Sequence, residues 1–180
     1  MAYYYLIASL PSLSLDTPPS LSFAAFSALC AEHLAPHDLA AVKAIGDGSW
    51  LDAPPAHPVL AAWREVETTI RNAIVRDRAS RTDREAAPFL REQTGLDAEI
   101  PHAVAEAFGR HTPLERERAI DQLRWRRLSA LAGFDPFAPA AVLVYALHLR
   151  IAERWATMNR DLGRRQAEAL LTPQAAPPST

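Results

Sequence analysis

The chain has 180 residues, of which 49% are hydrophobic, and a formal net charge of −2. That length is enough to bury a core without covalent staples, and the composition is too apolar for a disordered chain. A single cysteine, Cys30, excludes an intramolecular disulfide and makes a cytoplasmic location the default expectation.

The charge is unevenly spread. Residues 1–57 hold one Lys against five acids, residues 58–109 seven Arg against nine acids, and residues 110–180 eleven Arg against seven acids. The front is therefore acidic and the back basic. Arginine is the residue suited to bidentate pairing at interfaces.

In chain order, Tyr3-Tyr4-Tyr5-Leu6-Ile7-Ala8 is an apolar, aromatic opening. With no second strand to pair with, it reads as an extended apolar segment or as the first turns of a helix. Pro11 to Pro19 is an irregular loop. Neither the opening nor Phe137 to Leu149 reaches the ~20 apolar residues of a membrane span. No basic residue precedes the opening, as a secretory signal would require. No direct membrane insertion is expected.

From there every signal is helical. Ser22 caps a helix carrying Phe23, Phe26, Leu29, Cys30 and Leu34, which stops before Pro36. A short helix from Pro36 to Ile45 is expected to close at Gly46 in the left-handed conformation. Pro58 opens a longer one in which Val59, Leu60, Trp63, Val66, Ile70 and Ile74 recur at helical spacing, to about Ala79. Phe89 and Leu90 suggest a short helical stretch broken at Gly95, and Pro101 opens another with Val104 and Phe108. Thr112-Pro113-Leu114-Glu115 is a capping box with proline in the first turn. Its helix stops at Gly133. Phe137 opens the last helix, which reads on to about Leu171, ~50 Å at ~1.5 Å per residue. The expected fold is all-α: a helical bundle of antiparallel hairpins over residues 1–172 with a long C-terminal helix, and a disordered tail at 173–180.

Chemistry-bearing clusters are sparse. Cys30, His33 and His37 have ligand-like spacing, but zinc needs converging ligands and a fourth group or a water. They read as a buried thiol beside two helix-end histidines. Glu67 and Arg71 are placed for a surface i,i+4 pair, and Glu117 and Asp121 share a solvated face in the like-charged sense. No nucleophile elbow, phosphate-binding glycine loop or zincin motif is present. The chain is expected not to be an enzyme and to use no metal or other cofactor.

Contact surfaces are the better candidates. Arg116, Arg124, Trp125 and Arg127 lie on the basic helix, and Arg154, Trp155, Arg160, Arg164 and Arg165 on the last one. An arginine and aromatic mixture can also bind a single-stranded nucleic acid. Because Glu115, Glu117 and Asp121 interleave and the pI is near 6.3, that remains the minor alternative.

The opening Tyr3 to Pro11, the stretch Phe23 to Cys30, and the closing Leu143-x-Tyr145-Ala146-Leu147-x-Leu149 before an Arg-rich helix with Gly163 carry a resemblance. They resemble a family of uncharacterised bacterial proteins whose genes tend to sit beside those for V-type (A/V-type) ATP synthase subunits. The resemblance implies a role like that of the enzyme's C-type adaptor: an all-helical, non-catalytic link between the central stalk and the membrane rotor ring. Its partners would be stalk and ring subunits, and it would sit in the cytoplasm or peripherally at the inner membrane through the complex. The chain has about half the usual length of that adaptor and no repeat matching its three similar domains. A free-standing helical protein-interaction or regulatory module is the alternative expectation.

Overall fold

A computed structural model describes residues 3–51, 57–95 and 97–158. The elements among these residues are all helical, with no strand. The helices are α1 (Tyr4–Ser9), α2 (Phe23–His33), α3 (Pro36–Asp47), α4 (Pro58–Arg81), α5 (Glu99–Phe108), α6 (Pro113–Leu131) and α7 (Pro139–Thr157). None is long and apolar enough to cross a membrane.

Local chemistry explains most of the boundaries. Ser22 accepts a hydrogen bond from the Ala25 N–H at the start of α2, and Glu153 of α7 accepts the Phe23 N–H at 2.7 Å. A first-turn amide that the helix itself leaves unpaired is thus satisfied by a distant element. At α6 the Thr112 hydroxyl accepts from the Glu115 N–H while the Glu115 carboxylate accepts from the Thr112 N–H, completing the expected capping box. Gly133, just past α6, is left-handed at φ 74°.

Three expectations need correction, and one alternative is decided. Of the two readings of the opening, Tyr4–Ser9 takes the helical one and not the extended one, because α1 needs no strand partner when Leu6 is buried and Tyr3 is anchored by its N–H to the Phe137 carbonyl. Helix α3 runs through Gly46 and turns at Gly48, whose φ is 81°. Gly46 serves close packing instead: a Cβ there would lie 2.7 Å from the Phe23 ring. The helical stretch expected after Phe89 is only a 3-10 turn, Ala87–Phe89. The helix expected to open at Pro101 begins at Glu99, where the Asp97 carboxylate accepts the Glu99 and Ile100 N–H groups. The last helix is described to Thr157; its expected continuation to Leu171, with the tail at 173–180, lies outside the described residues.

Two apolar cores result. The first gathers α1, α2, α3, the start of α4, the end of α6 and most of α7 around Phe26, Val42, Trp63, Leu128 and Leu143. The second joins the far half of α4, α5 and the front of α6 through Ile70, Val104, Ile120 and Leu123. Val66 packs against both. Full burial of each such side chain contributes roughly 1.5–3 kcal/mol relative to exposure. Helix α7 is central to the first core: Val142, Leu143, Val144, Ala146, Leu147 and Leu149 are all buried.

The segment between α4 and α5 lacks apolar weight and is held by polar side chains. Asn72, fully buried, donates to the Arg91 carbonyl and to Gln93 Oε1, both at 2.8 Å, and accepts the Arg91 N–H at 3.0 Å. Glu65 accepts both the N–H and the hydroxyl of Thr94.

Candidate functional site

A large groove, about 1080 Å³, runs between the start of α2, the end of α3, α4, α6 and the end of α7. It is lined by apolar side chains, among them Ile45, Trp50, Trp63, Leu147 and Ile151, and by a charged set, Glu67, Asp121, Arg124 and Arg154.

Asp121 organises the charged set. It is 0% exposed, on a turn of α6 that faces α4 and α7. Its Oδ1 accepts Arg124 Nη1 at 2.9 Å, while Oδ2 accepts Trp155 Nε1 at 2.6 Å and an Arg154 guanidinium N–H. Arg124 completes a bidentate clamp on Glu67 of α4, at 2.8 and 3.2 Å. Burial opposes the charge of Arg124, but Glu67 and Asp121 more than offset it and raise its pKa above the ordinary arginine value. Arg118 lies over the Trp155 ring, 4.7 Å from its centroid, and pairs with Asp16. Charges on α4, α6 and α7 thus neutralise one another in the lining of the groove.

This arrangement revises two expectations. Glu67 turns to Arg124 across the helix interface, while Arg71 donates to the Phe89 carbonyl. Asp121 is buried and cation-bound instead of lying on a solvated face beside Glu117. Neither follows from helical spacing, which places residues on a face without saying what that face meets.

The expected contact residues are distributed as follows. Arg124, Arg154 and Trp155 converge on Asp121. Trp125 is half-buried and stacks on His148 at 4.0 Å between ring centroids, so one face of the indole is occupied within the chain. The His148 Nε2 lies 3.1 Å from the Trp125 carbonyl oxygen. Arg127 is bound to Asp97 and Glu99. Arg116 donates to the Arg110 carbonyl. Arg160, Arg164 and Arg165 lie outside the described residues.

A second polar cluster was not legible from sequence. Asp38, on the first turn of α3, accepts the Tyr3 hydroxyl at 2.5 Å, and that hydroxyl accepts the Ala35 N–H. His37 Nδ1 and His57 Nε2 each stand 3.4 Å from Asp38 Oδ1, with their rings stacked at 5.1 Å. One ligand atom from each of His37, Asp38 and His57 falls within 4.8 Å of the others, as a metal site would require. The hydrogen bonds point elsewhere. His57 Nδ1 accepts the Val59 N–H at 3.2 Å as the cap of α4, which puts the ring proton on Nε2, facing Asp38, where a metal would need a lone pair. Burial lowers the His57 pKa, with Asp38 opposing. The pKa of Asp38 is lowered too: burial works to raise it, but the bonds from Tyr3 and His37 prevail. Cys30 and His33 are not part of this group. The thiol is fully buried in the first core, where burial pushes its pKa up to about 12, and His33 packs on Tyr5.

Comparison with known proteins adds one likeness. A family model described as a protein of unknown function (DUF2764) matches residues 96–172. That span holds α5, α6 and α7, hence Asp121, Arg124, Arg154 and Trp155, and is less than half of the chain. No curated protein and no solved structure matches the sequence.

Proposed function

We propose that this chain is a non-catalytic helical component or accessory of a bacterial V-type ATP synthase, an adaptor of the C type between the central stalk and the membrane rotor ring. The observation that carries the reading beyond the sequence resemblance is the charged set in the large groove. Ionisable groups that an enzyme would direct at a substrate are here directed at each other, tying α4, α6 and α7 together in a groove that apolar side chains also line. Such a groove suits a contact surface: its apolar side chains supply area to bury, and the paired charges hold three helices in fixed relation. The all-helical fold is what an adaptor of this kind uses.

The test is affinity purification of the tagged full-length chain from its native cells under mild conditions. Stalk or rotor-ring subunits are expected to accompany it. Recovery of the intact ATP synthase by a tag on one of its other components, with this chain missing from it and from its assembly intermediates, rejects the proposal.

A further inference from the structure

A second groove, on the other core, has a different character. It runs along the distal half of α4 beside the start of α6 and has a volume of about 630 Å³. Its floor is apolar, formed by Ile74, Val75, Phe108 and Ile120. Arg71, Arg78, Arg81, Arg84 and Arg116 border it, against two carboxylates, Glu85 and Glu117.

The state of those arginines matters more than their number. Arg81 is paired with Asp77 at 2.6 Å. Arg71 and Arg116 each give one N–H to a carbonyl, of Phe89 and Arg110, and form no ion pair among the described residues. Arg78 rests over the Phe108 ring, 5.8 Å from its centroid, and makes no ion pair among those residues either. The side chain of Arg84 has no partner among the described residues. Of the two glutamates, Glu117 leans toward Arg154. The cations of the large groove are neutralised within the fold, whereas most of those at this rim have donors unspent. Phe89 stands at the rim, 62% exposed.

We infer that the groove between α4 and α6 binds an acidic amphipathic helix of a partner protein. An apolar channel flanked by helices accepts a third helix by its apolar stripe, read at i, i+3, i+4 and i+7. A rim of guanidiniums, most of them without an ion pair among the described residues, then selects carboxylates on the flanks of that helix and repels a basic one. Arginine holds carboxylates bidentately, so the contact is directional as well as attractive. The concave channel sinks the apolar groups below the charged rim, which favours an inserted helix over a flat anionic membrane. The inference commits to the chemistry of the partner and stands whether or not the chain belongs to a rotary complex.

The test uses the full chain and a dye-labelled peptide of about 18 residues, long enough to be helical alone. It carries Leu and Phe at i, i+3, i+4 and i+7 and Glu at the flanking positions. A second peptide has Lys in place of every Glu. Fluorescence anisotropy is expected to show binding of the acidic peptide, weakened by added salt, and none of the basic one. The double variant R78E/R84E, altered at two rim positions, should lose roughly tenfold or more in affinity, with its thermal melt as control. Val75→Glu, in the groove floor, should weaken binding as well. Equal binding of the two peptides, or undiminished binding by R78E/R84E, overturns the inference. So does co-sedimentation with phosphatidylglycerol vesicles by a chain that ignores the acidic peptide.

Discussion

Asp38 and Asp121 are both buried carboxylates at helix junctions, yet they are neutralised by opposite means. Asp121 faces two guanidiniums and an indole N–H. Its partners keep their protons at any pH a protein meets, so none of the three donors to Asp121 is gained or lost in mild acid. Asp38 faces a phenol and two imidazoles. The phenol carries no charge, and burial above all lowers the His57 pKa, so the junction of α1, α3 and α4 contributes to the pH dependence of stability. One carboxylate is held mainly by charge pairing and the other by hydrogen bonds.

The largest effect should come from Asp121→Ala. Removing one partner of a buried pair leaves uncompensated charge and typically costs about 3–5 kcal/mol. Because Arg154 keeps contact with water and Arg124 keeps Glu67, we expect about 3 kcal/mol, measured by urea denaturation. A loss below roughly 1 kcal/mol would put Asp121 in the class of surface pairs and erase the contrast with Asp38. Tyr3→Phe should come next, at about 2 kcal/mol, because it strips a buried carboxylate of its hydroxyl donor and the Ala35 N–H of its acceptor. Trp155→Phe removes one of three donors to Asp121 while keeping an aromatic ring, and should cost about 1 kcal/mol. Both are read from the same denaturation midpoints.

The gentlest probe is pH. His57 and His148 both have lowered pKa values, through burial above all, opposed by Asp38 in one and by the Trp125 carbonyl in the other. In the unfolded chain they take up protons near the ordinary 6.5, so the unfolded state binds more protons and stability falls as pH drops below that value. Asp38, also lowered, adds a further loss below the ordinary 3.8, as the unfolded chain protonates first. Denaturation midpoints measured from pH 8 to pH 4 should show the first decline, and H57Q/H148Q should flatten it. An unchanged slope in that variant would mean that neither imidazole is the titrating group.

Much of the fold was legible because it rests on short-range chemistry. The Thr112 capping box, the Ser22 cap and Pro58 in the first turn of α4 each mark a boundary within a few residues of their own position. Gly46 was misread for a physical reason. A glycine near a helix end serves either a left-handed turn or a close approach, and only the neighbouring Phe23 ring, which the sequence does not place, decides between them. The candidate site was less legible still. Asp121 belongs to a spacing that also suits solvent, and its burial depends on Arg154 and Trp155 more than thirty residues away. Tyr3, Asp38 and His57 meet across three elements, with no local pattern linking them. The basic helix stands out in sequence, but its arginines divide between those spent inside the fold and those, such as Arg116, on an open rim.

Helices α4 and α6 each cross from one core to the other: Leu60 and Trp63 lie in the first with Ile70 and Ala73 in the second, and Leu128 lies in the first with Ile120 and Leu123 in the second. Neither has a proline or glycine in its interior, where sharp bends arise. A hinge would need a single yielding connection, but rotating one core against the other means bending two unbroken rods that Arg124 clamps together midway. Relative motion of the two cores is therefore resisted along both helices at once, and neither offers an internal proline or glycine at which it could concentrate.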